Sequence, residues 1–183
     1  FFFLRRFLEI TISDKRSALL ASVFIFIGTN LFFIVIVRTS FSHHFSFCLF
    51  AAFAYFVRRY FDSGRLKHVI WIGLVLGLIV LVRPLNILVI LAIPLILLNW
   101  KNVQVFFKQL FKLRNGNLGL SFGAFLGVLS LLFILNFLQT GNILNWSYHG
   151  EGFNFGSPHF WTILFSYRIG LFVHTPLLFL CLF

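Results

Sequence analysis

The chain has 183 residues, of which 60% are hydrophobic, 20% aromatic and 10% charged. Soluble domains average about 45–50% apolar and about 25% charged residues. With a mean hydropathy of +0.99, this composition excludes an ordinary soluble domain and points to lipid as the solvent. The charge is lopsided, 15 Lys+Arg against 4 Asp+Glu. Basic clusters set between long apolar runs are how a membrane protein fixes its orientation, so the excess argues against a nucleic-acid partner.

Phe1 to Ile12 is apolar apart from Arg5, Arg6 and Glu9, and reads as the tail of a preceding span or as an interfacial helix. No initiator methionine or signal-peptide cleavage site is visible, and the chain stops inside an apolar run at Phe183. The expectation is an internal piece of a longer membrane protein. Ala18 to Val37 is uncharged over 20 residues, about 30 Å as a helix, which matches the hydrocarbon core. Ser42 to Val57 is a shorter span, about 24 Å, opening on Ser42-His43-His44. Cys48 and Cys181 lie in apolar runs and read as small core residues.

The stretch from Val69 to Leu98 is too long for one upright helix, about 45 Å, and Arg83-Pro84 interrupts it. Proline lacks the N–H and pushes its predecessor out of the α region, so the helix should end near Val82. Two helices, 69–82 and 85–98, then form a hairpin with Arg83-Pro84 at its tip. A kinked single span is the alternative. Charge favours the hairpin, because it places the basic residues 58–67 and 101–114 on one side together with Arg5, Arg6, Lys15 and Arg16. The bias becomes 12 basic residues inside against Arg38, Arg83 and Arg168 outside. Further spans are expected at 118–138 and 170–183, with an outer loop over 139–169. The predicted fold is an all-α, polytopic transmembrane bundle of about six crossing segments in one domain. Its predicted location is the bacterial inner (plasma) membrane.

The outer face collects the residues that need a purpose. Arg83 sits between two apolar helices, where a guanidinium is costly unless paired or hydrated, and its bidentate fork suits phosphate. Snorkelling to the interface is the competing account. The loop from Thr140 to His159 is rich in Gly, Asn, Ser and aromatic residues, a composition suited to folding over a sugar. Glu151 is the only outer carboxylate, with a pairing to Arg168 or a solvated turn as the plainer reading. His43 and His44 head a helix, and two adjacent histidines cannot both face the bundle. His149, Glu151, His159 and His174 carry no metal-ligand spacing. No metal site is assigned and no cofactor is evident, although a divalent metal stays open. The candidate substrate-binding residues are Arg83, Arg168, His43 and Glu151. No Walker loop, dinucleotide fingerprint, HExxH or nucleophile elbow is present.

Three stretches together resemble a known family: Ser42-His43-His44-Phe45-Ser46-Phe47, then GLVLGLIVLVRPLN from Gly73 to Asn86, then SYRIGLFVHTPL from Ser166 to Leu177. Their order and separation are similar to those of the multi-span GT-C glycosyltransferases. That group includes dolichyl-phosphate-mannose protein mannosyltransferase-like and lipid A aminoarabinose transferase-like enzymes. The resemblance implies a transferase that takes a sugar from a lipid-linked, polyprenyl-phosphate donor on the outer face of the membrane. The family's base, a carboxylate in the first outer loop, would lie upstream of Phe1, so the catalytic residue is unknown. The partners implied are that donor and the membrane lipids. A transporter or flippase, in which Arg83 lines a substrate path, and a non-catalytic membrane assembly subunit are the other readings.

Overall fold

The computed structural model describes residues 1–12, 14–29, 31–36, 42–111, 116–143, 156–157, 159–167 and 170–175. Among these the regular structure is helical, with no strand. The all-α expectation holds.

Helix α1 (Phe2–Thr11) is followed by α2 (Lys15–Gly28), whose start is capped by Asp14. The Asp14 carboxylate accepts from Ser17 N at 2.9 Å, Ser17 Oγ at 2.7 Å and Arg16 N at 3.2 Å. These bonds, the Ser17 hydroxyl first, hold its carboxyl below the ordinary value. The run 18–37, expected as one span, is not one helix. It breaks at Gly28-Thr29 and resumes as α3 (Leu31–Ile36). Thr29 is extended, its hydroxyl donates back to Ile25 O at 2.7 Å and accepts from Leu31 N at 3.3 Å. A glycine followed by a capping residue supplies both a stop and a new start.

Helix α4 (His43–Ser63) extends the expected span 42–57 by six residues at its basic end. Gly64, in the left-handed region at φ 61°, closes it. Helix α1 runs alongside α4 in the same direction. Phe1 and Leu4 share a cavity wall with Phe47 and Cys48, Phe3 packs on Tyr55 and Phe56, and Glu9 and Ile10 reach Arg59. Helix α1 is thus packed along α4 and does not lie across the end of the bundle.

Helix α5 (Leu66–Val82) ends where the proline rule places the stop, with Arg83 extended at φ −154°, ψ 120°. The return leg differs from expectation. Instead of an α-helix over 85–98, a 3₁₀ segment (Pro84–Ala92) leads into the short α6 (Ile93–Leu97). A second proline marks the end of the 3₁₀ segment. Pro94 has no N–H for Ile90 O, and that carbonyl takes the tighter bond from Ile93 N instead. A 3₁₀ helix rises about 2.0 Å per residue, so this leg reaches further than 14 α-helical residues would, about 25 Å against about 21 Å.

Leu98, in the left-handed region at φ 62°, turns the chain into α7 (Trp100–Leu110). Asn99 caps α7 through Lys101 N at 2.9 Å, and Asn102 Nδ2 donates to Leu97 O at 2.9 Å. Phe106 of α7 then meets Tyr60 edge to face, ring centroids 5.6 Å apart. The chain has therefore reversed at Arg83-Pro84 and come back to the basic end of α4. Helix α7 was not foreseen, since its segment reads as a loop between spans.

Helix α8 (Asn117–Thr140) packs on α5 in the same direction, Ser121 beside Gly73 and Val128 beside Gly77. Two parallel neighbours joined through 84–116 require the intervening chain to run back, which is the hairpin. Within the expected outer loop 139–169 lies a short helix, α9 (Phe160–Phe165), and α10 (Leu171–His174) opens the last apolar run. The core joins Phe53, Val57 and Tyr60 of α4, Val69 and Ile79 of α5, Leu97 of α6 and Phe106 of α7. Among the described residues one helix alone, Leu118–Thr140, is long and apolar enough to cross a membrane; Leu66–Val82 and Pro84–Leu97 are shorter apolar helices. Of the about six crossing segments expected, one meets that length and composition among the described residues.

Candidate functional site

The start of α4 and the end of α5 meet at the pole opposite the Tyr60–Phe106 contact. Ser42 and Ser46 stand one turn apart on α4, and Arg83 and Asn86 stand three residues apart around the proline, so each pair presents a single edge. The edges join through two side-chain hydrogen bonds. Arg83 Nε donates to Ser42 Oγ at 3.1 Å, and Asn86 Nδ2 donates to Ser46 Oγ at 3.0 Å. Ser46 is buried, its hydroxyl also donating to Ser42 O at 3.2 Å, while Ser42, Arg83 and Asn86 are half-buried.

This ladder answers the demand made by a guanidinium between apolar helices. Arg83 is hydrogen-bonded and held in place by a residue 41 positions earlier in the chain. With Nε engaged by Ser42, a bidentate contact to an anion would use the terminal nitrogens. Asn86 adds an amide on the same edge. Sequence reasoning missed Ser42 and Ser46 as partners. Their spacing of four, matched by the spacing of three between Arg83 and Asn86, is the signal that could have found them.

The two histidines divide as the helix geometry requires. His43 is exposed, while His44 is half-buried, with Nδ1 buried and without a hydrogen-bond partner among the described residues. The inward-facing member is therefore His44, although His43 was the one singled out. His159 is exposed just ahead of α9. Arg168, Glu151 and His149 lie outside the described residues, and so does the Arg38 position. The structure thus brings Arg83 together with the Ser42 element, but it does not describe the other two predicted ligand residues. Among the described residues no three His, Cys, Asp or Glu side chains gather as metal ligands.

Beyond the ladder the 3₁₀ segment forms one wall of an apolar cavity of about 330 Å³. Ile87 and Ile90 face Leu76 of α5, Phe107 of α7 and Phe125 of α8 across it. A polar edge therefore gives way, within a turn, to an apolar cavity lined by six elements. Comparison with protein families, with curated proteins and with solved structures finds no match to this chain.

Proposed function

We propose that the chain is a multi-span membrane glycosyltransferase of the GT-C kind, moving a sugar from a polyprenyl-phosphate donor to an acceptor on the extracytoplasmic face. In this reading Arg83 holds the donor phosphate. The observation that carries it is the pair of hydrogen bonds fixing Arg83 to Ser42 and Asn86 to Ser46, because two of the three stretches that resemble the family are the ones joined there. The ligand fits the surroundings in both halves: an anionic head for the guanidinium, and an isoprenoid tail for the apolar cavity behind it. In the transfer, the bond from sugar to phosphate breaks, the acceptor oxygen bonds to the sugar and gives up its proton, and the polyprenyl phosphate leaves. No base for that proton is assigned.

The same reading places α4, α5, the return leg and α8 across the bilayer, with the ladder at the outer end and Arg58, Arg59, Lys101 and Lys108 inside. Exposed large apolar side chains along α8, Leu126, Leu131 and Phe137 among them, support lipid as their surroundings.

Binding of a polyprenyl phosphate to the protein in detergent micelles tests the role of Arg83. Arg83→Ala is expected to weaken binding by about 10–100-fold, the loss of charge-assisted hydrogen bonds. Arg83→Lys keeps the charge but loses the fork and is expected to fall between. Wild-type affinity in both variants, with both folded, overturns the assignment.

A further inference from the structure

At the opposite end of the bundle a second cavity, of about 270 Å³, opens between α1 and α4. Its lining is amphipathic: Arg6 and Arg59, the Tyr55 ring and hydroxyl, Glu9, and the apolar walls Phe2 and Ile10. The single carboxylate is already engaged, with Arg5 Nε at 2.9 Å and Arg6 Nη1 at 3.3 Å from its two oxygens. Arg59 is arranged differently. Its Nε donates to Tyr55 Oη at 3.3 Å and its guanidinium lies 5.8 Å from that ring's centre. Arg6 lies 5.6 Å from the Phe2 ring. Each guanidinium is thus braced on an aromatic wall of the same cavity, and two cations face one anion across it.

We propose that this cavity is a phosphate site, which takes the headgroup of an anionic phospholipid. Guanidiniums brought in from two helices suit phosphate oxygens, a phenol hydroxyl can donate to a third, and the apolar walls suit the glycerol and first methylenes beside the phosphate. Basic pockets between helices at the cytoplasmic side of a membrane recognise such headgroups. The inference rests on the membrane part of the proposed function and not on its transferase part, so loss of donor binding at Arg83 leaves it intact.

The test uses the full chain in nanodiscs of phosphatidylcholine containing a minor fraction of phosphatidylglycerol, with retained lipid counted by native mass spectrometry. Wild type is expected to retain phosphatidylglycerol above its share in the disc. Arg59→Gln and Arg6→Gln should each lower that retention by about tenfold, the effect of losing one charge-assisted hydrogen bond. Arg16→Gln, on an exposed base at the start of α2 outside the cavity, should leave it unchanged. A thermal midpoint equal to wild type in pure phosphatidylcholine discs establishes that each variant is folded, and Arg59→Lys provides a milder variant should glutamine fail. Retention that resists millimolar inorganic phosphate identifies the lipid as the source. Displacement by that phosphate identifies the free ion, and upholds the phosphate site while overturning the lipid. Equal retention in wild type, Arg6→Gln and Arg59→Gln overturns both.

Discussion

His68 is buried at the start of α5, its ring tilted against Phe56 at 6.3 Å, and its Nδ1 has no hydrogen-bond partner among the described residues. A buried acceptor without a partner costs stability, and an apolar ring of similar shape removes that cost. His68→Phe keeps the ring against Phe56 and is expected to melt at or above the wild-type temperature in detergent. A clearly lower midpoint would show that the imidazole nitrogens are engaged. Single-residue logic had limits in the sequence. It identified Arg83 as a cation needing a partner, because the cost of a charge among apolar helices is local. It could not name Ser42 as that partner, because the hydrogen bond spans 41 positions and depends on how α4 and α5 pack.

Between elements, α5 and α8 approach closely at two glycines. A methyl group built on Gly73 would overlap the Ser121 carbonyl, and one built on Gly77 would come within 2.7 Å of Val128 Cβ and 3.2 Å of Phe125 O. The spacing of four puts both glycines on one side of α5, where the absence of side chains lets the backbones meet, as small residues do between membrane helices. Gly73→Ala forces a backbone shift, whereas Gly77→Ala meets chiefly the side chain of Val128. Both are expected to destabilise, by about 1–3 kcal/mol, with Gly73→Ala the worse. Combining Gly77→Ala with Val128→Ala should recover part of the loss. Melting of the three variants in detergent checks the order, and a neutral Gly73→Ala would show that α5 and α8 are not in register here. Element boundaries were legible where one residue's covalent chemistry decides them. Pro84 ended α5 at the predicted place. Pro94 was passed over, and with it the change from a 3₁₀ segment to α6 on the return leg. The break at Gly28-Thr29 was hidden inside an uninterrupted apolar run, since hydropathy carries no information about a hydroxyl that turns to its own backbone.

For the whole molecule, the decisive geometry is the reversal at Arg83-Pro84. Charge counting anticipated it, because one-sided placement of two basic clusters needs an even number of passes between them. The structure shows a reversal of the chain there through contacts that owe nothing to charge, the Tyr60–Phe106 ring pair and the parallel run of α8 along α5. Neither fact includes a bilayer, so sidedness is a separate question that chemistry can answer. Ser63 at the end of α4 and Gln104 on α7 are both exposed, at the basic end. With Cys48 and Cys181 replaced by alanine, Ser63→Cys and Gln104→Cys are each expected to react with an impermeant maleimide only in inside-out vesicles. Asn142, exposed just beyond α8, should as Asn142→Cys react only in right-side-out vesicles, because α8 runs away from the basic end. Labelling of Ser63→Cys and Gln104→Cys from opposite sides would mean that residues 69–98 cross once. In that case the contact between α7 and α4 could not form in the membrane, and the ladder at Arg83 would lie near the middle of a kinked span instead of at its outer end.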